Sequence, residues 1–180
     1  HTAINIESLQ NMLFGFDGSN TCPLVRLPKN DPLWAKWAFD LGAEGIVVPN
    51  IQTAEEARLA VESAKYPPDG IRGWCPKIPS NFFADINSYN SEANDRTVVI
   101  IQIEHIKGIE NLDEILSVPG IDSIFIGPAD LSASLNLLGQ WSNPILIENI
   151  RKIIKKSMNA RMPVAMAVDE SAPDVLYWIK

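Results

Sequence analysis

The run Thr97-Val98-Val99-Ile100-Ile101-Gln102-Ile103-Glu104 constrains this chain more than any other segment. Apolar side chains at consecutive positions need cover on both faces, the pattern of a parallel strand packed under helices. Polar side chains enter only at its carboxyl end. Alternation along a strand places Ile100, Gln102 and Glu104 on one face and Ile101 and Ile103 on the other. A face that turns polar only at its carboxyl end suits the mouth of an α/β fold, where active sites lie.

The rest of the chain repeats the theme. Short Val/Ile-rich strands are expected at 22–27, 45–49, 122–126 and 162–168, separated by segments with helical spacing at 5–16, 33–41, 54–65, 86–94, 106–116 and 144–159. Pro32 stands at a first helical position behind Asn30 or Asp31 as N-cap, and Thr53 to Glu56 forms a capping box. The stretch 71–84, with Trp74, Cys75, Pro76, Pro79, Phe82 and Phe83, reads as a long irregular loop of the kind that serves function or contacts a neighbour. A further helix is expected from Ser171 onward. The alternation predicts a parallel sheet covered by helices, forming one partial barrel domain over 1–180. A (β/α)8 TIM barrel, incomplete at both ends in this chain, is the first reading and an open doubly wound sheet the alternative.

Composition removes other classes. The chain has 180 residues, 46% hydrophobic and 21% charged, enough for one domain with a real core and too apolar for disorder. Fifteen Lys and Arg against 22 Asp and Glu leave a net charge of -7, which argues against a nucleic-acid surface. No apolar run approaches the ~20 residues of a membrane helix. The start, His1-Thr2-Ala3-Ile4-Asn5, lacks the basic and apolar regions of a signal peptide, so a cytoplasmic location is expected. Cys22 and Cys75 are too few for a disulfide scaffold, and with His1 and His105 they lack zinc-ligand spacing. There is no dinucleotide or P-loop glycine fingerprint.

The strand ends supply the candidate chemistry. Arg26 lies near the end of one strand, Gln102 and Glu104 at the end of the next-but-one, and Gly127-Pro128-Ala129-Asp130 after another. If Glu104 and Asp130 converge, two carboxylates with open positions suit a hard cation such as Mg2+ or Mn2+. The competing reading pairs Glu104 with a neighbouring Lys or Arg.

Several strings together resemble the HpcH/HpaI family of class II pyruvate aldolases. They are Asp40-Leu41-Gly42-Ala43-Glu44-Gly45-Ile46-Val47-Val48-Pro49, Thr53-Ala54-Glu55-Glu56-Ala57, Tyr66-Pro67-Pro68-Asp69-Gly70-Ile71-Arg72-Gly73, Gln102-Ile103-Glu104 and Phe125-Ile126-Gly127-Pro128-Ala129-Asp130-Leu131-Ser132. The resemblance implies a metal-dependent barrel that cleaves 4-hydroxy-2-oxo acids to pyruvate and an aldehyde. It implies Glu104 and Asp130 as ligands of a divalent cation, Mg2+ or Mn2+ first, with Co2+ or Zn2+ as further candidates. It implies Arg26 as the stabiliser of the enolate and Gln102 as a substrate-binding residue. Gly127 and Ala129 match positions whose backbone N–H groups hold the substrate carboxylate, and Asp130 borders the substrate as well. His1 matches the catalytic histidine, and Asp40 the acid that raises its basicity from a neighbouring subunit. The expected partners are a small 2-oxo acid and further copies of the chain, in a trimer or hexamer. Trp74-Cys75-Pro76, His105 and Ala165 depart from the family's usual residues near the mouth. Other chemistry through the same pyruvate enolate, such as a citramalyl-type lyase or a decarboxylase, and a non-catalytic truncated relative are the alternatives.

Overall fold

A computed structural model describes residues 4–167. Its elements follow in the order α1 (Ile6–Phe14), β1 (Leu24–Arg26), α2 (Pro32–Asp40), β2 (Gly45–Val48), α3 (Ala54–Ala64), α4 (Ile86–Arg96), β3 (Val98–Ile103), α5 (Ile106–Glu110), α6 (Leu112–Leu116), β4 (Ser123–Ile126), α7 (Pro128–Ser134), α8 (Pro144–Asn159) and β5 (Val164–Met166). The five strands form one sheet in the order β1-β2-β3-β4-β5, and every pairing is parallel.

That order decides between the two readings of the sequence. A doubly wound sheet reverses its strand order at a switch point and carries helices on both faces. Here each strand simply follows its predecessor, and only one face is fully covered. Ile46, Val48, Val99, Ile101, Ile103, Ile124 and Ile126 are completely buried. The opposite face carries Val47, Ile100, Ser123 and Phe125, all half-buried. A sequential parallel sheet with helices on one side is an arc of a (β/α)8 barrel, with five of the eight strands.

The local signals act as their chemistry requires. Asp31 caps α2 through a 2.9 Å bond from Leu33 N, with Pro32 in the first turn. Thr53 and Glu56 close the capping box of α3. Gly45 sits where β2 passes between Leu24 and Val98, and a Cβ there would stand 2.6 Å from Leu24 Cδ2 and 2.7 Å from Val98 Cβ.

Two expectations change. The helix expected at 106–116 is two short ones, α5 and α6, broken at Asn111. Asn111 donates its side-chain amide to Gln52 O at 2.8 Å, a tertiary tie that periodicity alone cannot signal. The strands are also shorter than expected, Leu24–Arg26 within 22–27 and Val98–Ile103 within 97–104. His1, Val168 and the helix expected from Ser171 lie outside the described residues.

Candidate functional site

Three elements deliver polar side chains to the carboxyl end of the sheet. Arg26 ends β1, Gln102 and Glu104 close β3, and Asp130 stands in the first turn of α7, directly after β4. Arg26, Val47 and Ile100 are register partners, so Arg26 shares a face with Gln102 and Glu104.

The side chains form a connected line. Arg26 Nε donates to Gln102 Oε1 at 2.8 Å, and Gln102 Nε2 donates to Glu104 Oε2 at 2.5 Å. Arg26 Nη2 lies 3.8 Å from Glu104 Oε1, which also accepts a 2.9 Å bond from Asn50 N. Gln102 and Glu104 are each 5% exposed, whereas the Arg26 side chain keeps 34% open at the mouth. Gln102 therefore ties Arg26 to Glu104, with both ends of its amide engaged inside the protein. One N–H of Nε2 and one lone pair of Oε1 remain beyond these two bonds.

The electrostatics ask for a cation. Burial raises the Glu104 carboxyl above its usual range, and the neighbouring Asp130 carboxylate raises it further; Arg26 and the Asn50 N–H pull the other way. Asp130 is thus near enough to Glu104 for the two carboxylates to act on one another. With Arg26 as their nearby cation they leave one negative charge in excess. Hard oxygen donors carrying surplus negative charge fit a divalent cation such as Mg2+ or Mn2+. Among the described residues no cluster of three or more His, Cys, Asp or Glu could hold a metal, so water and substrate oxygens would complete the shell.

Gly127 has a part that differs from the expected one. Its N–H is donated to Ile103 O at 3.1 Å, because the β3–β4 ladder continues one residue past β4, so it does not stand ready for a substrate carboxylate. Instead its missing side chain makes room. A Cβ at 127 would lie 2.6 Å from Glu104 Oε2 and 2.8 Å from Gln102 Nε2. Ala129, exposed in the first turn of α7, has an N–H with no acceptor among the described residues.

Asp40 lies elsewhere. It ends α2, at the amino end of the sheet, and pairs with Lys36 Nζ and with Arg72 Nη2 at 3.4 Å. The Arg72 guanidinium is sandwiched between the Phe39 and Tyr66 rings at 4.6 and 4.3 Å. A cleft of about 620 Å³ opens at this same end, lined in part by Phe14, Phe39, Arg72, Phe82 and Tyr89, and is not the strand-end site. The sequence reading missed Asn50. It adopts a left-handed backbone with φ 55°, which asparagine tolerates, and its signal was an Asn directly after the strand and Pro49.

The chain is similar to known proteins in sequence and in fold. A family model described as HpcH/HpaI aldolase/citrate lyase matches residues 6–173. The 5-keto-4-deoxy-D-glucarate aldolase of Escherichia coli strain K12 is 34% identical over 180 residues, covering 99% of this chain and 70% of that protein. The crystal structure of an HpcH/HpaI aldolase from Desulfitobacterium hafniense DCB-2 superposes with TM-score 0.90 at 30% identity, over 99% of this chain and 70% of that one. The citrate synthase SbnG superposes with TM-score 0.85 at 26% identity, over 99% of this chain and 69% of that one.

Proposed function

Because the chain belongs to the HpcH/HpaI aldolase/citrate lyase family, we propose that it is a metal-dependent carbon–carbon lyase that cleaves 4-hydroxy-2-oxo acids to pyruvate and an aldehyde. The observation that carries this reading is the line Arg26–Gln102–Glu104, with Asp130 beside Glu104 at the mouth of the sheet.

Breaking the C3–C4 bond leaves an enolate, so the site must stabilise negative charge on the former 2-oxo oxygen. Arg26 is fixed through Nε to Gln102, and its guanidinium, on a side chain that stays partly open, would take that oxygen. Glu104 and Asp130 would hold the divalent cation, Mg2+ or Mn2+ first. When bound, such a cation supplies a Lewis acid that polarises the 2-oxo group. Gln102 and the Asn50 N–H keep the Glu104 carboxylate in one orientation. Ala129 N–H, in the first turn of α7, would receive the substrate carboxylate. The C4 hydroxyl proton is assigned to His1, made more basic by an Asp40 supplied from a neighbouring copy. A homo-oligomer, trimer or hexamer, follows from that assignment. Cys22 and Cys75, both free and exposed, fit a reducing cytoplasmic setting. Among the described residues no helix is long and apolar enough to cross a membrane.

The family's citrate-related members favour a second reading, in which the same enolate machinery serves a different carbon skeleton. One experiment separates these. Purified protein is incubated with 4-hydroxy-2-oxo acids, and pyruvate is followed by coupled NADH oxidation, with product identification by NMR. Divalent-dependent release of pyruvate and an aldehyde, lost on chelation, supports the aldolase. Release of a different 2-oxo or acyl product supports the alternative.

A further inference from the structure

The loop between β2 and α3 carries a pair of amide side chains whose outer groups the fold does not use. Asn50 Oδ1 accepts a 3.0 Å bond from Gln52 Nε2. Asn50 Nδ2 and Gln52 Oε1 have no partner among the described residues, and the pair is exposed to solvent. The backbone around them is held firmly. Asn50 N bonds Glu104 Oε1, Ile51 N bonds Gln102 O at 3.2 Å, Gln52 N bonds Glu56 Oε2 at 2.7 Å, and Gln52 O accepts from Asn111. A surface amide pair on a mobile loop would have little meaning. This one is fixed at four points, and its first residue touches the buried carboxylate of the site.

Asn50 stands at φ 55°, a left-handed backbone that asparagine accepts, and its N–H on Glu104 Oε1 sets its amide beside the strand-end site. Asn50 Nδ2 offers donors and Gln52 Oε1 an acceptor, on two side chains that are hydrogen-bonded to each other. A hydroxyl both donates and accepts, so the pair matches a hydroxylated carbon chain. It offers no charge to a carboxylate and no apolar surface to an alkyl chain.

We propose that Asn50 and Gln52 are specificity-determining residues that read hydroxyl groups on the aldehyde half of the substrate, favouring polyhydroxylated chains over alkyl or carboxylate-ended ones. The proposal rests on the aldolase reading above, which places the pyruvate half between Arg26 and Asp130.

The test compares kcat/KM for three 4-hydroxy-2-oxo acids whose distal chains are hydroxylated, alkyl and carboxylate-ended, in the parent, Asn50→Gly and Gln52→Ala. Glycine keeps the left-handed backbone and the N–H that grips Glu104, so Asn50→Gly removes only the amide. The parent is expected to prefer the hydroxylated substrate. Each variant is expected to lower the ratio of hydroxylated to alkyl kcat/KM about tenfold, the effect of one lost hydrogen bond. A parent that prefers the alkyl or carboxylate-ended substrate overturns the proposal, as do variants whose ratios stay within twofold of the parent's. A parent that cleaves none of the three, and fails to exchange the methyl protons of pyruvate, overturns the aldolase reading and this proposal with it.

Discussion

Gly127 and Glu104 are packed so closely that residue 127 has no room for a side chain: a Cβ there would lie 2.6 Å from Glu104 Oε2. The loop after β4 thereby closes over the carboxylate that ends β3. Gly127→Ala must push that carboxylate aside. We expect divalent-cation affinity to fall about 10- to 100-fold, the usual cost of disturbing what orients a ligand. Titration calorimetry with Mn2+ checks this, alongside circular dichroism to establish that the variant folds.

Glu104 should also mark the pH dependence of stability. Its carboxyl is raised by burial and by Asp130, so the folded chain keeps the proton to higher pH than the unfolded chain does. The stability it contributes is full below the ordinary value of 4.5 and is lost as pH rises through the raised value. In chelator, Glu104→Gln should therefore melt above the parent near neutral pH. A shift of about 2–4 °C would correspond to roughly 1 kcal/mol in a domain of this size. The difference should shrink as the pH is lowered toward 4.5 and below. Added Mg2+ or Mn2+ should reverse the order, since a ligand that binds only the folded parent stabilises it by mass action. Differential scanning calorimetry reads both halves.

Gly45 tests the sheet independently of the site. Its neighbours Leu24 and Val98 stand on either side in register, leaving 2.6–2.7 Å for any Cβ. Gly45→Ala should destabilise by about 1–3 kcal/mol through overpacking, measured by urea unfolding.

The segment after α3 tests assembly. Ile71, Trp74, Phe82 and Phe83 are 49–61% exposed, and Asn81, Phe82 and Phe83 are all left-handed. Trp34 and Trp37 meet edge to face at 5.2 Å and stay half-buried. Light scattering should give a mass several times that of one chain, and the double variant Trp74→Ser with Phe83→Ser should lower it. A monomeric parent would contradict the oligomer.

These residues also show what the sequence could and could not tell. Alternation along 97–104 placed Gln102 and Glu104 on one face, because strand geometry has a fixed period. The capping residues Asp31 and Thr53 acted locally and were readable for that reason. What escaped is long-range. The break at Asn111 depends on Gln52, 59 positions away. The engagement of Gly127 N–H depends on how far the ladder runs past β4. Asn50 gained its place beside Glu104 only because β2 and β3 are neighbours in the sheet. Asp40 was identified by resemblance, and its pairing with Arg72 needs the 66–73 segment folded back against α2.

The enolate role of Arg26 is the centre of the account, and pyruvate alone can test it. Exchange of pyruvate methyl protons with solvent passes through the same enolate and needs no aldehyde. In D2O with Mg2+ or Mn2+, NMR should show exchange by the parent, and Arg26→Ala should slow it by at least ~100-fold, the cost of removing one charged stabiliser of the developing oxyanion. If Arg26 were only a partner for Gln102 and Glu104 at the rim, its loss would cost about 1 kcal/mol of stability or less and leave exchange intact. Exchange by folded Arg26→Ala at near the parent rate would contradict the account.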